Sequence, residues 1–212
     1  VSDTRVAAVV PVKRLAAAKS RLRLPSDQRA ALALAFALDT VDALRASPVV
    51  AGVLVVTSDP EVASHLHRTG VAVVPDDTTA LHDAVAVGIA AAAVCWPGLG
   101  VVVVPADLPS LRPEDVERVV RLGQETDGAF VPDHGGTGTT IVVHAAGRSA
   151  ATRYGPGSAA RHRELGLTPL EQAPPRARHD VDTLEDLDVA LTLGVGPRTA
   201  AAVATLTEAR PA

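Results

Sequence analysis

The chain has 212 residues, 47% of them hydrophobic, with a mean hydropathy of +0.22; it is too apolar for disorder and able to build a sizeable core. A formal charge of −4 and a pI near 6.0 leave no basic footprint for nucleic acid, and no apolar run approaches membrane-spanning length. One cysteine, Cys95, excludes an intrachain disulfide framework and any multi-thiol zinc or iron–sulfur site, and it fits a reducing cytoplasm.

Apolar runs of strand length alternate with longer helical stretches. The start, with Asp3 and Arg5 ahead of an apolar run, reads as a strand over Val6 to Val12 and not as a signal peptide. Ser26 is placed to N-cap a helix from Asp27 to Arg45, followed by a strand from Val49 to Thr57. Pro60 opens a helix ending at Gly70, Val71 to Val74 is a strand, and Leu81 to Val94 is an Ala-rich helix closed by Trp96-Pro97-Gly98. Val101 to Pro105 is a fourth strand and Pro113 to Gln124 a helix. Such alternation predicts right-handed crossovers and a mostly parallel sheet with helices on both faces.

The pattern then changes. Gly128 to Pro132 and Thr139 to His144 are strand candidates joined by a Gly-rich loop, which predicts an antiparallel excursion. A short basic helix begins near Ser158, a brief strand spans Thr168 to Glu171, and Pro174 to Arg178 reads as a link. Thr183 N-caps a helix to Leu193, and an Ala-rich helix after Gly196-Pro197 is either packed on the body or partly frayed. With no internal repeat and no long linker, residues 1–212 read as one domain.

Three segments could carry chemistry. Lys13 and Lys19 are the only lysines among 20 basic residues, and with Arg14 and Arg21 they fill the loop after the first strand. Ligands bind at the carboxyl ends of strands in an open parallel sheet, so this loop suits a triphosphate, with a solvated basic loop as the alternative. Asp107 follows the fourth strand at the same edge, as a hard-oxygen ligand for magnesium or, alternatively, an Asx turn. Asp180 and Asp182, two apart, share one side of an extended backbone and can reach the same cations; otherwise Asp182 merely caps the next helix.

Two Gly-plus-hydroxyl segments, Gly135 to Thr140 and Tyr154 to His162, suggest a second anion site. The later one runs into a helix start with free amides, although a hairpin turn and an ordinary capped helix would read the same. His65, His67, His82, His134, His144, His162 and His179 show no metal-ligand spacing, and none is assigned a catalytic role. No nucleophile elbow, Walker A motif or G-x-G-x-x-G loop is present.

Together, Pro11-Val12-Lys13 with Ala18-Lys19-Ser20-Arg21-Leu22, Ala106-Asp107-Leu108-Pro109-Ser110, Gly136-Thr137-Gly138-Thr139-Thr140, Tyr154 to His162, and Asp180-Val181-Asp182-Thr183 resemble the guanylyltransferases of coenzyme F420 biosynthesis, from Val6 to Arg198. The resemblance implies a three-layer α/β/α nucleotidyltransferase fold similar to that of molybdenum-cofactor guanylyltransferases. It also implies a reaction joining GTP to phosphoenolpyruvate, with 2-phospho-L-lactate or 3-phosphoglycerate as alternative acceptors and a non-catalytic nucleotide-binding module as the other reading.

By the same resemblance Asp107, Asp180 and Asp182 match carboxylates that hold magnesium, expected as two ions, and Thr139, Gly155 and Ser158 match positions that hold phosphoenolpyruvate. Lys13, Lys19 and Asp107 form the expected catalytic group, and Lys13, Arg14, Lys19 and Arg21 the expected nucleotide-phosphate group. The expected partners are GTP and a small phosphorylated three-carbon acid, without nucleic acid or membrane, and a homodimer is left open. One departure stands out: Leu81-His82-Asp83 replaces the Leu-Asn pair of the pattern, so the guanine contacts stay unassigned.

Overall fold

The computed structural model describes residues 5–78 and 80–208; Asp3, in the opening segment, lies outside them. Strands β1 (Val6–Pro11), β2 (Val50–Val56), β3 (Ala72–Val74), β4 (Gly100–Val103), β5 (Gly128–Pro132), β6 (Thr139–His144) and β7 (Thr168–Pro169) form one sheet in the order β3-β2-β1-β4-β6-β5-β7. Four pairings are parallel, and the two antiparallel ones both involve β6. Only β6 therefore runs against its neighbours. The reversal follows from the short Asp133 to Gly138 connection, which is too brief for a crossover.

The helices are α1 (Ser26–Ala46), α2 (Pro60–Leu66), α3 (Leu81–Cys95), α4 (Pro113–Gln124), α5 (Ser158–Glu164), α6 (Pro175–Arg178), α7 (Leu184–Leu193) and α8 (Pro197–Glu208). They cover both faces of the sheet, because β1 alternates its side chains between two cores. Val6, Ala8 and Val10 pack with α1, α2, α4 and α6, while Ala7 and Val9 face α3, Phe130 and Tyr154. No described helix is long and apolar enough to cross a membrane.

Boundaries fall close to the sequence reading, with local differences. Ser26 is the first residue of α1 and Pro25 occupies the cap position, where no side chain caps the helix. Asp59 caps α2 instead, accepting hydrogen bonds from the amides of Glu61 and Val62. Pro174 to Arg178, read as a link, contains the helical turn α6, which Pro175 opens at a position where its missing N–H costs nothing. The lysine loop is not irregular throughout, since it holds two 3-10 turns, Leu15–Ala17 and Ser20–Leu22. At Thr183 the expected cap is present, with a reciprocal bond to Asp186.

The C-terminal helix α8 is packed on α1. The buried Asp39 carboxylate in α1 accepts from the backbone amides of Arg198 and Thr199, at 3.1 and 2.8 Å, and so caps the start of α8. A third apolar cluster forms around this contact from Leu22, Leu32, Phe36, Val181, Leu187 and Ala190. It lies beneath both the lysine loop and the Asp180–Asp182 segment.

Helix α3 approaches the sheet through Ala84, Gly88 and Ala92, a stripe of small buried residues. A Cβ added at Gly88 would meet Val9 Cγ1 at 2.4 Å and Val56 Cγ2 at 2.7 Å. Alanine gains about 1 kcal/mol over glycine in helix propensity, but overpacking a rigid β-branched contact costs about 1–3 kcal/mol. Gly88→Ala is therefore expected to lower unfolding stability in a urea melt; an unchanged or raised midpoint would show that α3 is free to shift outward.

Candidate active site

Asp107 follows β4 across Val104-Pro105-Ala106, at the edge where β1 delivers the lysine loop and β2 delivers Ser58 and Asp59. The Val181 amide donates to the Asp107 carbonyl at 3.0 Å, stitching the Asp180–Asp182 segment to this turn. Val181 is fully buried in the third core, so its two neighbours face the opposite way. Ligand oxygens of Asp107, Asp180 and Asp182 all lie within 4.8 Å of one another.

Such a group needs compensating charge. Lys19 Nζ lies 2.7 Å from Asp107 and 2.9 Å from Asp182, and Arg21 reaches Asp182 at 3.1 Å. Burial pulls the Lys19 pKa down, but the Asp107 and Asp182 charges outweigh it and push the value up to about 12. Lys19 adopts a left-handed backbone, φ 54°, which costs about 1–2 kcal/mol for a residue with a Cβ. Its two ion pairs offset that strain. Asp180 is pushed up to about 7, chiefly by burial and then by the Asp107 and Asp182 charges.

The acidic group fits a divalent cation. Its donors are hard carboxylate oxygens. Asp107 Oδ1 is buried with no hydrogen-bond partner, an arrangement that normally costs stability and that a cation would relieve.

Lys13, Lys19, Arg21, Asp107 and Asp182 line a common cleft of about 360 Å³, floored by Pro11, Val12 and Pro105 and walled by small side chains from Ala17, Ala18 and Ala33. Arg14 does not line it and donates to Ser58 Oγ at 3.2 Å. The loop is anchored by Asp59, whose carboxylate accepts the Leu15 amide at 2.9 Å. Ser58 and Asp59 were not singled out from sequence, although their place after β2 at the same edge was the available signal.

Thr139, Gly155 and Ser158 do not line this cleft. Thr139 lies beyond β4, because the reversed β6 begins at the edge where its neighbours end, and the Gly155–Ser158 turn is tied to that segment through the Ala159–Thr137 and His162–Thr139 contacts. The Tyr154 hydroxyl, 3.3 Å from the Val103 carbonyl and 3.4 Å from that of Thr140, connects this group to β4. Burial and then the Asp107 charge push its pKa up, so it stays protonated. Two of the amides at the start of α5 are engaged within the chain: that of Ser158 donates to the Gly155 carbonyl and that of Ala159 to the Thr137 carbonyl. The tight turn consumes these amides in bending the chain. His162, passed over in the sequence, is fully buried and lies 2.9 Å from Thr139.

A family model described as "Guanylyl transferase CofC like" matches residues 6–196. The chain belongs to this family. Among family relatives, a phosphoenolpyruvate guanylyltransferase of Streptomyces coelicolor is 46% identical over 202 residues, covering 93% of this chain and 95% of its own. Another of that name, from Mycolicibacterium gilvum, is 39% identical and covers 95% of this chain and 96% of its own. The fold is also that of solved nucleotidyltransferases. A 4-diphosphocytidyl-2C-methyl-D-erythritol synthase superposes with a TM-score of 0.62 at 16% identity, over 89% of this chain and 98% of the other. A Methanothermobacter nucleotidyl transferase gives 0.60 at 19%, over 89% and 97%. These two support the fold alone.

The raised Asp180 pKa makes stability depend on pH. Below about 4 the carboxyl is protonated both folded and unfolded. As pH rises toward about 7 only the unfolded chain releases the proton, so stability falls and then levels. Asp180→Asn should therefore raise Tm at pH 8 with chelator present, by roughly 2–4 °C for each kcal/mol relieved, and change it little at pH 4. An equal shift at both pH values would show that Asp180 carries no folding penalty from its charge.

Proposed function

We propose that this chain joins GTP and phosphoenolpyruvate to give enolpyruvyl-diphospho-guanosine and pyrophosphate, a step of coenzyme F420 biosynthesis. The observation that carries the reading is the acidic trio with Lys19 among its oxygens, set against a cleft lined by cationic side chains at the ligand edge of the sheet. The names of its family relatives point to the same chemistry. The same reading takes residues 1–212 as one nucleotidyltransferase domain and places it in the cytoplasm.

Asp107, Asp180 and Asp182 would hold magnesium, as two ions, supplying positive charge that lowers the repulsion between two anionic substrates. A phosphate oxygen of phosphoenolpyruvate attacks the α-phosphorus of GTP in line, and the bond to pyrophosphate breaks. With a second phosphate pKa of roughly 6, the nucleophile is already ionised near neutral pH and needs no general base. That agrees with a site whose carboxylates are committed to charge compensation and whose histidine is buried.

The residues of the chain then act by position and charge. Lys13 and Arg21 line the cleft and meet the triphosphate, and Arg14 adds charge from the rim. Lys19 sits nearest the carboxylates, where it neutralises the departing pyrophosphate and keeps Asp107 and Asp182 together in the absence of cation. Thr139, Gly155 and Ser158 hold the acceptor.

Asp107→Ala should reduce pyrophosphate release by about 1000-fold or more, with the far-UV spectrum unchanged. Near-normal turnover would refute the assignment of Asp107. Magnesium-dependent release of pyrophosphate from GTP, measured with phosphoenolpyruvate, 2-phospho-L-lactate and 3-phosphoglycerate in turn, should be fastest with the first. Faster release with another acceptor would reassign the substrate, and GTP binding without release from any of them would mark a nucleotide-binding module.

A further inference from the structure

His162 is fully buried on α5 between two aromatic rings, with Tyr154 edge-on at 5.4 Å and Phe130 at 5.5 Å between centroids. Both ring nitrogens are engaged. The Arg153 backbone amide donates to Nε2 at 2.9 Å, and Nδ1 lies 2.9 Å from Thr139 Oγ1. A backbone N–H has one role only, so Nε2 must accept and carries no proton. In a neutral imidazole the proton is then on Nδ1, and the Thr139 oxygen is the acceptor of that contact.

A hydroxyl that accepts in one fixed direction has its own proton to give in another. Thr139 is half-buried, opens the reversed strand β6, and has no other side-chain hydrogen bond among the described residues. We propose that His162 is a positioning residue for the acceptor substrate: its Nδ1–H pins the Thr139 oxygen and turns the Thr139 O–H outward, as a donor to an anionic oxygen of that substrate. This rests on the reading that Thr139 holds the acceptor.

The surroundings keep the ring neutral. Burial, then the charges of Arg161 and His144, outweigh a contact with the Ser158 backbone and hold its pKa down to about 4. A charged ring would be a donor at both nitrogens and would break the Arg153 contact.

The side chains of Asn and Gln separate the two contacts. Asn places an amide N–H near the Nδ1 position, whereas Gln places a carbonyl near the Nε2 position. In the full-length protein, His162→Gln should raise KM for phosphoenolpyruvate on the order of tenfold with KM for GTP unchanged, and His162→Asn should restore most of it. In a Thr139→Val background, His162→Gln should add nothing further. Multiplying effects in the double variant, or Asn no better than Gln, would reduce His162 to core packing and overturn the proposal.

If Thr139→Val alone leaves KM for phosphoenolpyruvate unchanged, the acceptor reading of Thr139 itself fails. A normal Thr139 effect with a silent His162→Gln sinks only the positioning role. Imidazole nitrogen NMR on the unsubstituted protein needs no variant to fold: the Nδ1–H tautomer should persist from pH 6 to 9, and the Nε2–H tautomer would overturn the proposal.

Discussion

Three carboxylates with oxygens inside 4.8 Å repel one another, and the fold has to hold them by forces other than their charge. The means is apolar. Val181 is driven into a core with Leu22, Leu187 and Phe36, and its amide is tied to the Asp107 carbonyl, so Asp180 and Asp182 have no path away from Asp107. Leu22 anchors the other side, fixing the turn that delivers Lys19. The helix α8 closes that core, held by a buried Asp39 that caps it, which gives a C-terminal element remote from any chemistry a part in building the site.

Lys19 makes the arrangement tolerable in the free protein. An ammonium paired with two partly buried carboxylates gains from low dielectric and loses from desolvation, and for Lys19 itself the two charges outweigh its burial, so it stays charged. Its geometry is specific enough to hold the backbone in a left-handed conformation. A compact ammonium suits a position that asks for one point charge among oxygens of different residues. That gives a physical reason for lysine at this one of its two positions in a chain that otherwise uses arginine.

Strand direction places the hydroxyl group. Because β6 alone runs against the sheet, its first residue, Thr139, arrives at the edge where β1 and β4 end. The following turn folds back over it, and Tyr154 and His162 bury their rings beneath, each with its polar atoms satisfied by the backbone or by Thr139. The lysine cleft and the hydroxyl group thus lie on either side of the Asp107 turn.

Much of this was legible in the residues taken alone. Val and Ala runs of strand length, separated by helices with Pro at one end and Gly at the other, determine an alternating α/β chain, since burial on both faces demands continuous apolar strands. They also place the lysine loop and Asp107 at the ends of strands, and put two aspartates two apart on one side. Only the tertiary structure decided which partners those residues meet. Lys19 lies 88 positions from Asp107 and 163 from Asp182, a separation across which no local periodicity carries information. For the same reason His162 read as an unremarkable histidine: it lies on α5 and bonds to Thr139 at the start of β6, a contact that only the packing of helix against strand brings about.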